Sequence, residues 1–152
     1  MPDPFVFDSS SPRYELPLLF SGQAQKELWV NEAHARTDAV LHCAVEGESP
    51  DPPVAPAEGE NWIIGTPATG AWAGQEGALA CWQGGNWIFV QPRNGLRLLD
   101  LSVGQERLFL DGWKTPAEPT VPTGGTTIDA EARATLAQLI TALRVSGVLP
   151  TV

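Results

Sequence analysis

The chain has 152 residues, of which 43% are hydrophobic, and a formal net charge of −9 with only nine lysines and arginines. This length fits one domain with its own core, and such sparse cations exclude a basic surface for phosphate, so no nucleic-acid binding is expected. A basic N-terminal stretch followed by an apolar one is absent, and no apolar run reaches membrane-spanning length, so neither secretion by the usual route nor membrane insertion is predicted.

The first twenty residues are apolar yet contain four prolines. Proline excludes a helix here, while the apolar side chains require burial. Residues 1–20 are therefore predicted to be an extended arm that docks on a neighbouring protein or covers the β region of its own chain. The candidate docking residues are Phe5, Phe7, Leu18, Leu19 and Phe20.

A helical segment is predicted after the arm, over residues 23–27 and again over residues 31–45 with Asn31 as N-cap. Glu32 and Arg36 have the i, i+4 spacing of a surface ion pair. The apolar stripe of the second helix is predicted to cover one face of a sheet and comprises Ala33, Thr37, Val40, Leu41 and Ala44.

Potential metal ligands are few. His34, Asp38 and His42 recur every four residues, but each step of four drifts by about 40° around a helix, so a solvated polar edge is preferred to a metal site. Cys43 and Cys81 have no metal-binding spacing and are predicted to be buried free thiols. No metal and no cofactor are expected.

The region after residue 47 begins as a proline-rich loop and continues as short strands with tight turns. The strands are predicted at residues 61–64, 71–73, 79–83, 86–90, 96–101 and 107–110. Acidic residues are concentrated here, and a solvated acidic surface, or at most a weak cation site, is expected from Glu46, Glu48, Asp51, Glu58, Glu60 and Glu76.

The hairpin of residues 79–90 is the best-defined element. Its strands are joined by Gly84 and Gly85, a two-residue turn that requires positive φ. The resulting register places Trp82 opposite Trp87 at a non-hydrogen-bonded position, where side chains approach most closely. Both faces of the hairpin are apolar, so each is expected to be covered.

Tryptophans are the candidate contact residues for a glycan or a partner protein: Trp62, Trp72, Trp82, Trp87 and Trp113. The alternative, which we favour, is that these rings fill a small β core. An exposed coplanar pair of rings would favour glycan binding, whereas burial of all five would favour a structural role.

The C-terminal region is predicted to contain a linker at residues 116–126 and an amphipathic helix at residues 129–146, capped by Thr126 or Thr127 and ended by Gly147. Its apolar spacing is that of a coiled-coil seam, so the helix is predicted either to associate with other copies or to pack on its own sheet. The candidate seam residues are Leu136, Leu139, Ile140 and Leu143.

Together these elements predict an α+β, β-rich fold, with a small antiparallel sheet or barrel of short strands, an N-terminal helical segment and a C-terminal amphipathic helix. The predicted organisation is an arm at 1–20, a helix plus β domain at 21–115, a linker at 116–126, and a helix and tail at 127–152. Nucleophile-elbow, zincin and phosphate-loop motifs are absent from the sequence, so an enzyme is not expected.

Three short motifs suggest a family. These are GQAQKE at residues 22–27, NEA at residues 31–33 and WQGGNW at residues 82–87. With them, the chain resembles, over residues 16–115, an uncharacterised domain family of alphaproteobacterial prophages and gene transfer agents. The resemblance implies a virion structural protein, made in the bacterial cytoplasm and then part of a phage-like particle, such as a head-spike base or a tail-fibre module.

Such a component is expected to form a closed homo-oligomer, with a trimer favoured and a pentamer kept open for a capsid vertex. Its expected partners are other capsid, spike or tail-fibre proteins, together with host capsular polysaccharide during host attachment. The alternative function is a free-standing carbohydrate-binding module.

Overall fold

The computed structural model describes residues 26–120, 123–125 and 129–150. The predicted arm, with Phe5, Phe7, Leu18, Leu19 and Phe20, therefore lies outside the described residues, as do the two proposed helix caps Thr126 and Thr127. The same holds for residues 23–25, which begin the first predicted helix.

The described residues form two helices and eight short strands, which confirms the predicted α+β, β-rich class. In chain order they are α1 (Lys26–Val40), β1 (Ala44–Val45), β2 (Glu48–Ser49), β3 (Asn61–Ile64), a 3-10 turn (Gly70–Trp72), β4 (Leu79–Gln83), β5 (Asn86–Val90), β6 (Arg97–Asp100), β7 (Gln105–Phe109), β8 (Trp113–Lys114) and α2 (Ala130–Val145).

The strands form two four-stranded sheets. The first sheet has the order β2-β3-β4-β5, and the second has the order β1-β6-β7-β8. Neighbouring strands are antiparallel except in the pairs β1–β6 and β2–β3, which are parallel. The segment of residues 44–49 therefore belongs to both sheets, because Val45 pairs with Asp100 in the second and Ser49 pairs with Ile64 in the first.

The main core lies between the two sheets and α1. It is built from one buried side of each element and consists of Ala39, Cys43, Val45, Ile63, Leu79, Cys81, Val90 and Leu98. Burial of a Val, Leu or Ile side chain stabilises a fold by about 1.5–3 kcal/mol. A second cluster on the opposite face of the first sheet is formed by Ile64, Trp72, Ala78 and Ala80. Both faces of the hairpin are thus covered, as predicted.

The predicted hairpin is confirmed in its bounds, turn and register. Gly84 and Gly85 have φ values of 59° and 77°, and Trp82 lies opposite Trp87. The backbone N–H of Trp82 donates, at 2.9 Å, to the carbonyl of Glu60, the residue directly before the other neighbouring strand, β3. The Trp82–Trp87 pair is therefore a non-hydrogen-bonded pair, and its rings can approach closely.

The first helix differs from its prediction. A single helix runs through Asn31 without a cap there and ends at Val40, because His42 adopts a φ of 50° and turns the chain into β1. The predicted apolar stripe is wrong in part: Leu41 is 63% exposed and Thr37 is exposed, whereas Ala35 and Ala39 are buried. Residues 44–45, which were predicted to end the helix, instead form β1 and pair with β6.

Three other local predictions were wrong. Residues 71–73 are not a strand, because Gly70–Trp72 forms a 3-10 turn that inserts Trp72 into the second cluster. Residues 48–49, predicted as loop, form β2. The C-terminal helix is confirmed, but its predicted cap is wrong: the N-cap is Asp129 rather than Thr126 or Thr127, and its side chain accepts the N–H of Ala132 at 2.9 Å.

Candidate functional site

Four of the candidate tryptophans form a continuous group on the outer face of the first sheet, which we call the tryptophan cluster (Trp62, Trp72, Trp82 and Trp87). Trp72 is 0% exposed and lies at its centre. The ring centroid of Trp72 is 6.5 Å from that of Trp62 and 5.1 Å from that of Trp87. Trp87 in turn lies 5.0 Å from Trp82. The outer three are half-buried.

The rings of the tryptophan cluster meet at an angle, edge to face in two pairs and tilted in the third. The interplanar angles are 45° for Trp62 with Trp72, 78° for Trp72 with Trp87, and 61° for Trp87 with Trp82. These tilted arrangements are the favourable ones for aromatic pairs in a core. None of these pairs offers two coplanar rings on which a sugar could stack.

Trp113 lies apart from this cluster. Its ring packs edge to face on Phe109 at 5.2 Å, and its Nε1 donates to the carbonyl oxygen of Gly77 at 3.0 Å. It packs against the main core between the sheets. Trp113 therefore connects the second sheet to the loop before β4 and lies outside the tryptophan cluster.

Acidic residues of the loops accept hydrogen bonds from this region. Glu60 accepts the indole N–H of Trp62 at 2.6 Å and the backbone N–H of Ala57 at 2.7 Å. Glu58 accepts the N–H of Gly84 at 2.9 Å in the hairpin turn. These carboxylates hold the loop of residues 50–60 against the hairpin. They therefore stabilise the local structure in addition to contributing negative charge to the surface.

A partly buried ionic group links the two sheets, and the sequence did not reveal it. Asp100 on β6 is fully buried, and its Oδ2 lies 2.5 Å from Nη2 of Arg107 on β7. Nη1 of Arg107 lies 2.6 Å from Oε2 of Glu48 on β2. The hydroxyl of Ser102 donates to Oδ1 of Asp100 at 2.5 Å. The only available signal was that charged residues interrupt two otherwise apolar strands.

The segment that follows α2 returns to the second sheet. Nε2 of the buried Gln105 donates to the carbonyl oxygens of Pro116 and Val148, each at 2.8 Å, and the N–H of Glu106 donates to Gly147 at 2.5 Å. Leu149 is buried. Sequence reasoning did not identify Gln105 either. Its side-chain amide binds the start of the predicted linker, at Pro116, and the segment after α2, at Val148.

The candidate seam residues of α2 have different surroundings. Leu136 and Leu139 are 46% and 53% exposed, and Leu143 is half-buried. Ile140 is only 9% exposed, so it faces the interior of its own chain. The helix therefore presents two leucines to solvent beside one residue that anchors it.

A cleft of about 350 Å³ lies beside the docked C-terminal segment. It is lined by Arg97, Glu106, Leu108, Lys114, Thr115, Pro116 and Val148. Arg97 and Glu106 form an exposed ion pair at 3.4 Å across its rim. The cleft mixes charges of both signs with apolar surface, and it depends on the hydrogen bonds of Gln105 for its shape.

The remaining candidate ligands do not assemble into a site. His34, Asp38 and His42 are exposed on α1 and the turn after it. Among the described residues, no three or more His, Cys, Asp or Glu side chains are grouped to hold a metal ion. Cys43 and Cys81 are buried free thiols, as predicted. Burial, with a smaller contribution from Cys81, raises the pKa of Cys43 to about 11.

Comparison of the sequence with known protein families assigns the chain to one of them. The profile of the DUF2793 family, described as a protein of unknown function, matches residues 30–114, and the chain belongs to that family. The matched region runs from α1 to the end of β8 and so contains both sheets and the tryptophan cluster. No curated protein and no solved structure matches the chain significantly. None of the helices in the described ranges is both long and apolar enough to span a membrane.

Proposed function

We propose that this protein is a structural or adsorption component of a phage-like particle or gene transfer agent, such as a head-spike base or a tail-fibre module. It would be made in the bacterial cytoplasm and assembled as a homo-oligomer next to other particle proteins. The resemblance of its motifs to prophage and gene-transfer-agent proteins supports this proposal.

The observation that carries the proposal is the exposed leucine pair of α2. Leu136 and Leu139 are about half exposed, while the neighbouring Ile140 is buried and anchors the helix to its own chain. Ala132, Leu136, Leu139 and Leu143 follow the 4-3-4 spacing of a coiled-coil seam, which complements an identical seam. A second copy of this chain is therefore the occupant that best fits this surface.

The geometry of the tryptophan cluster is in keeping with a structural role. Trp72 is fully buried, and the rings of Trp62 and Trp87 pack against it at interplanar angles of 45° and 78°. This geometry is typical of a small core and does not provide a flat surface for a sugar. A free-standing carbohydrate-binding module remains the alternative function. It would require the half-buried rings of Trp82 and Trp87 to bind sugar singly.

The experiment that tests the proposal locates the protein in intact particles. An epitope tag added at the native gene, followed by induction and purification of particles, allows gold labelling for electron microscopy. We expect labels at a fixed position on heads or tails, with untagged particles as the control. A tagged protein that is produced but absent from purified particles would overturn the proposal.

A further inference from the structure

Strand β5 is the last strand of the first sheet. Because Trp82 and Trp87 form a non-hydrogen-bonded pair, the backbone N–H and C=O of Trp87 point away from β4. The same is true of Phe89, two residues further along the strand. Within the described part of the chain, neither residue has a backbone partner on that side. The edge therefore presents two donors and two acceptors in a row.

This edge lacks the features with which proteins usually protect an edge strand. Asn86–Val90 contains no charged residue and no proline, and it forms regular pairs with β4 at all five positions. The side chains of Trp87, Ile88 and Phe89 are all half-buried, on alternating faces. Both faces of the strand thus keep apolar surface next to open hydrogen-bonding groups, which is what an added strand covers.

We propose that residues 5–9 of the same chain add to the open edge of β5 as a further antiparallel strand. Phe5, Val6 and Phe7 have strong β propensity and follow Pro4, after which the next proline is Pro12. In the register that sets Phe5 opposite Phe89 and Phe7 opposite Trp87, all four outward backbone groups of β5 are paired. Val6 then lies beside Ile88.

Side-chain chemistry matches on both faces in that register. Phe5 and Phe7 extend the aromatic face that carries the tryptophan cluster, and aromatic cross-strand pairs are among the more stabilising ones. Val6 extends the face that carries Ile88, on the side of the sheet where α1 packs. A segment that is apolar on both faces fits an edge that is apolar on both faces.

The connection between this segment and the edge is long enough. Residues 10–25 precede α1, and sixteen extended residues span up to about 50 Å, which exceeds the diameter of a domain of this size. The helix that follows them contacts β5 directly. An intrachain segment also has a high effective concentration at the edge, so it is favoured over the same segment of another copy.

Residue-resolved amide hydrogen exchange of the full chain tests the proposal. Strand β5 has amides that face β4 and amides that face its open edge, so the first set is an internal control for the second. Ile88 and Val90 donate toward β4 and should be protected in every variant. Trp87 and Phe89 donate outward, and we expect their amides in the full chain to exchange about tenfold or more slowly than in a variant whose arm cannot pair.

Phe7→Pro is the variant that removes pairing, because in this register the N–H of Phe7 donates to the carbonyl oxygen of Trp87, and proline has no N–H to donate. It should release Trp87 and Phe89 and leave Ile88 and Val90 protected. Ser10→Pro, outside the segment, is the matched control and should change neither set. Fast exchange of Trp87 and Phe89 in the unaltered chain would overturn the proposal. Protection that survives Phe7→Pro would also overturn it, and a rise of that protection with protein concentration would assign the edge to a second copy.

Discussion

Nη2 of Arg107 lies 2.5 Å from Oδ2 of Asp100, a carboxylate with no exposure to solvent. The same guanidinium reaches Glu48 on the other sheet, at 2.6 Å. A buried ion pair contributes little net stability compared with apolar residues, but removal of one partner leaves an uncompensated charge in the interior. We therefore expect substitution of Arg107 to lower stability more than substitution of any other charged residue in the described part of the chain.

We expect Arg107→Met to lower the free energy of unfolding by about 3–5 kcal/mol, because Asp100 would remain buried without its cation. Urea denaturation measures this change. The double variant Arg107→Met with Asp100→Asn should recover part of the loss. Arg97→Met is the matched control, since its pair with Glu106 is exposed, and it should cost at most about 1 kcal/mol. Equal effects of the two single variants would contradict this assignment.

Trp87→Ala should destabilise the protein by about 3–5 kcal/mol, because this ring contacts both Trp72 and Trp82 within the tryptophan cluster. Trp82→Ala, which removes the terminal ring of the group, should cost less. Thermal unfolding followed by circular dichroism compares the two variants. An unchanged melting temperature for Trp87→Ala, accompanied by loss of polysaccharide binding, would instead favour the carbohydrate-binding alternative.

Leu136→Ser combined with Leu139→Ser should convert the proposed homo-oligomer to a monomer without loss of fold. Each leucine contributes about 1.5–3 kcal/mol if it is fully buried between copies, and both are exposed in the single chain. Sedimentation velocity reports the change. Gln138→Ser, on the opposite side of α2, is the control and should leave the assembly intact. An oligomer that persists in the double variant would exclude α2 as the seam.

Stability should fall at alkaline pH through Cys43. Because burial raises the pKa of this thiol to about 11, the neutral form is favoured in the folded state. Its contribution to stability is complete below the pKa of the unfolded thiol, about 8.5, and is lost as the pH rises toward about 11. Unfolding free energies at pH 8 and pH 10.5 should therefore differ more for the unaltered protein than for Cys43→Ser. Equal differences would count against this coupling.

The sequence predicted those parts of the fold that depend on neighbouring residues. The register of β4 and β5 follows from a turn of two glycines, and the end of α2 from Gly147, two residues after the last helical residue. Both can be worked out within a dozen residues. The edge-to-face packing of Trp82 on Trp87 then follows from the same register.

The elements that sequence reasoning missed depend on partners far along the chain. Val45 fits a helix by local pattern, yet it pairs with Asp100 in a parallel ladder that no local signal indicates. Gln105 resembles an ordinary surface residue, but two carbonyls from separate segments meet at its amide. Trp72 was assigned to a strand, because nothing nearby shows that the loop folds back over the first sheet.

The segment of residues 44–49 has a consequence for biosynthesis. Its first half completes the second sheet only when β6 is available, and its second half pairs with β3, which emerges from the ribosome much earlier. The first sheet can therefore assemble during translation before β6, the pairing partner of Ala44 and Val45, has been synthesised. A pause in synthesis between β5 and β6 would hold the nascent chain with one sheet formed and the inner face of that sheet not yet covered by the second sheet.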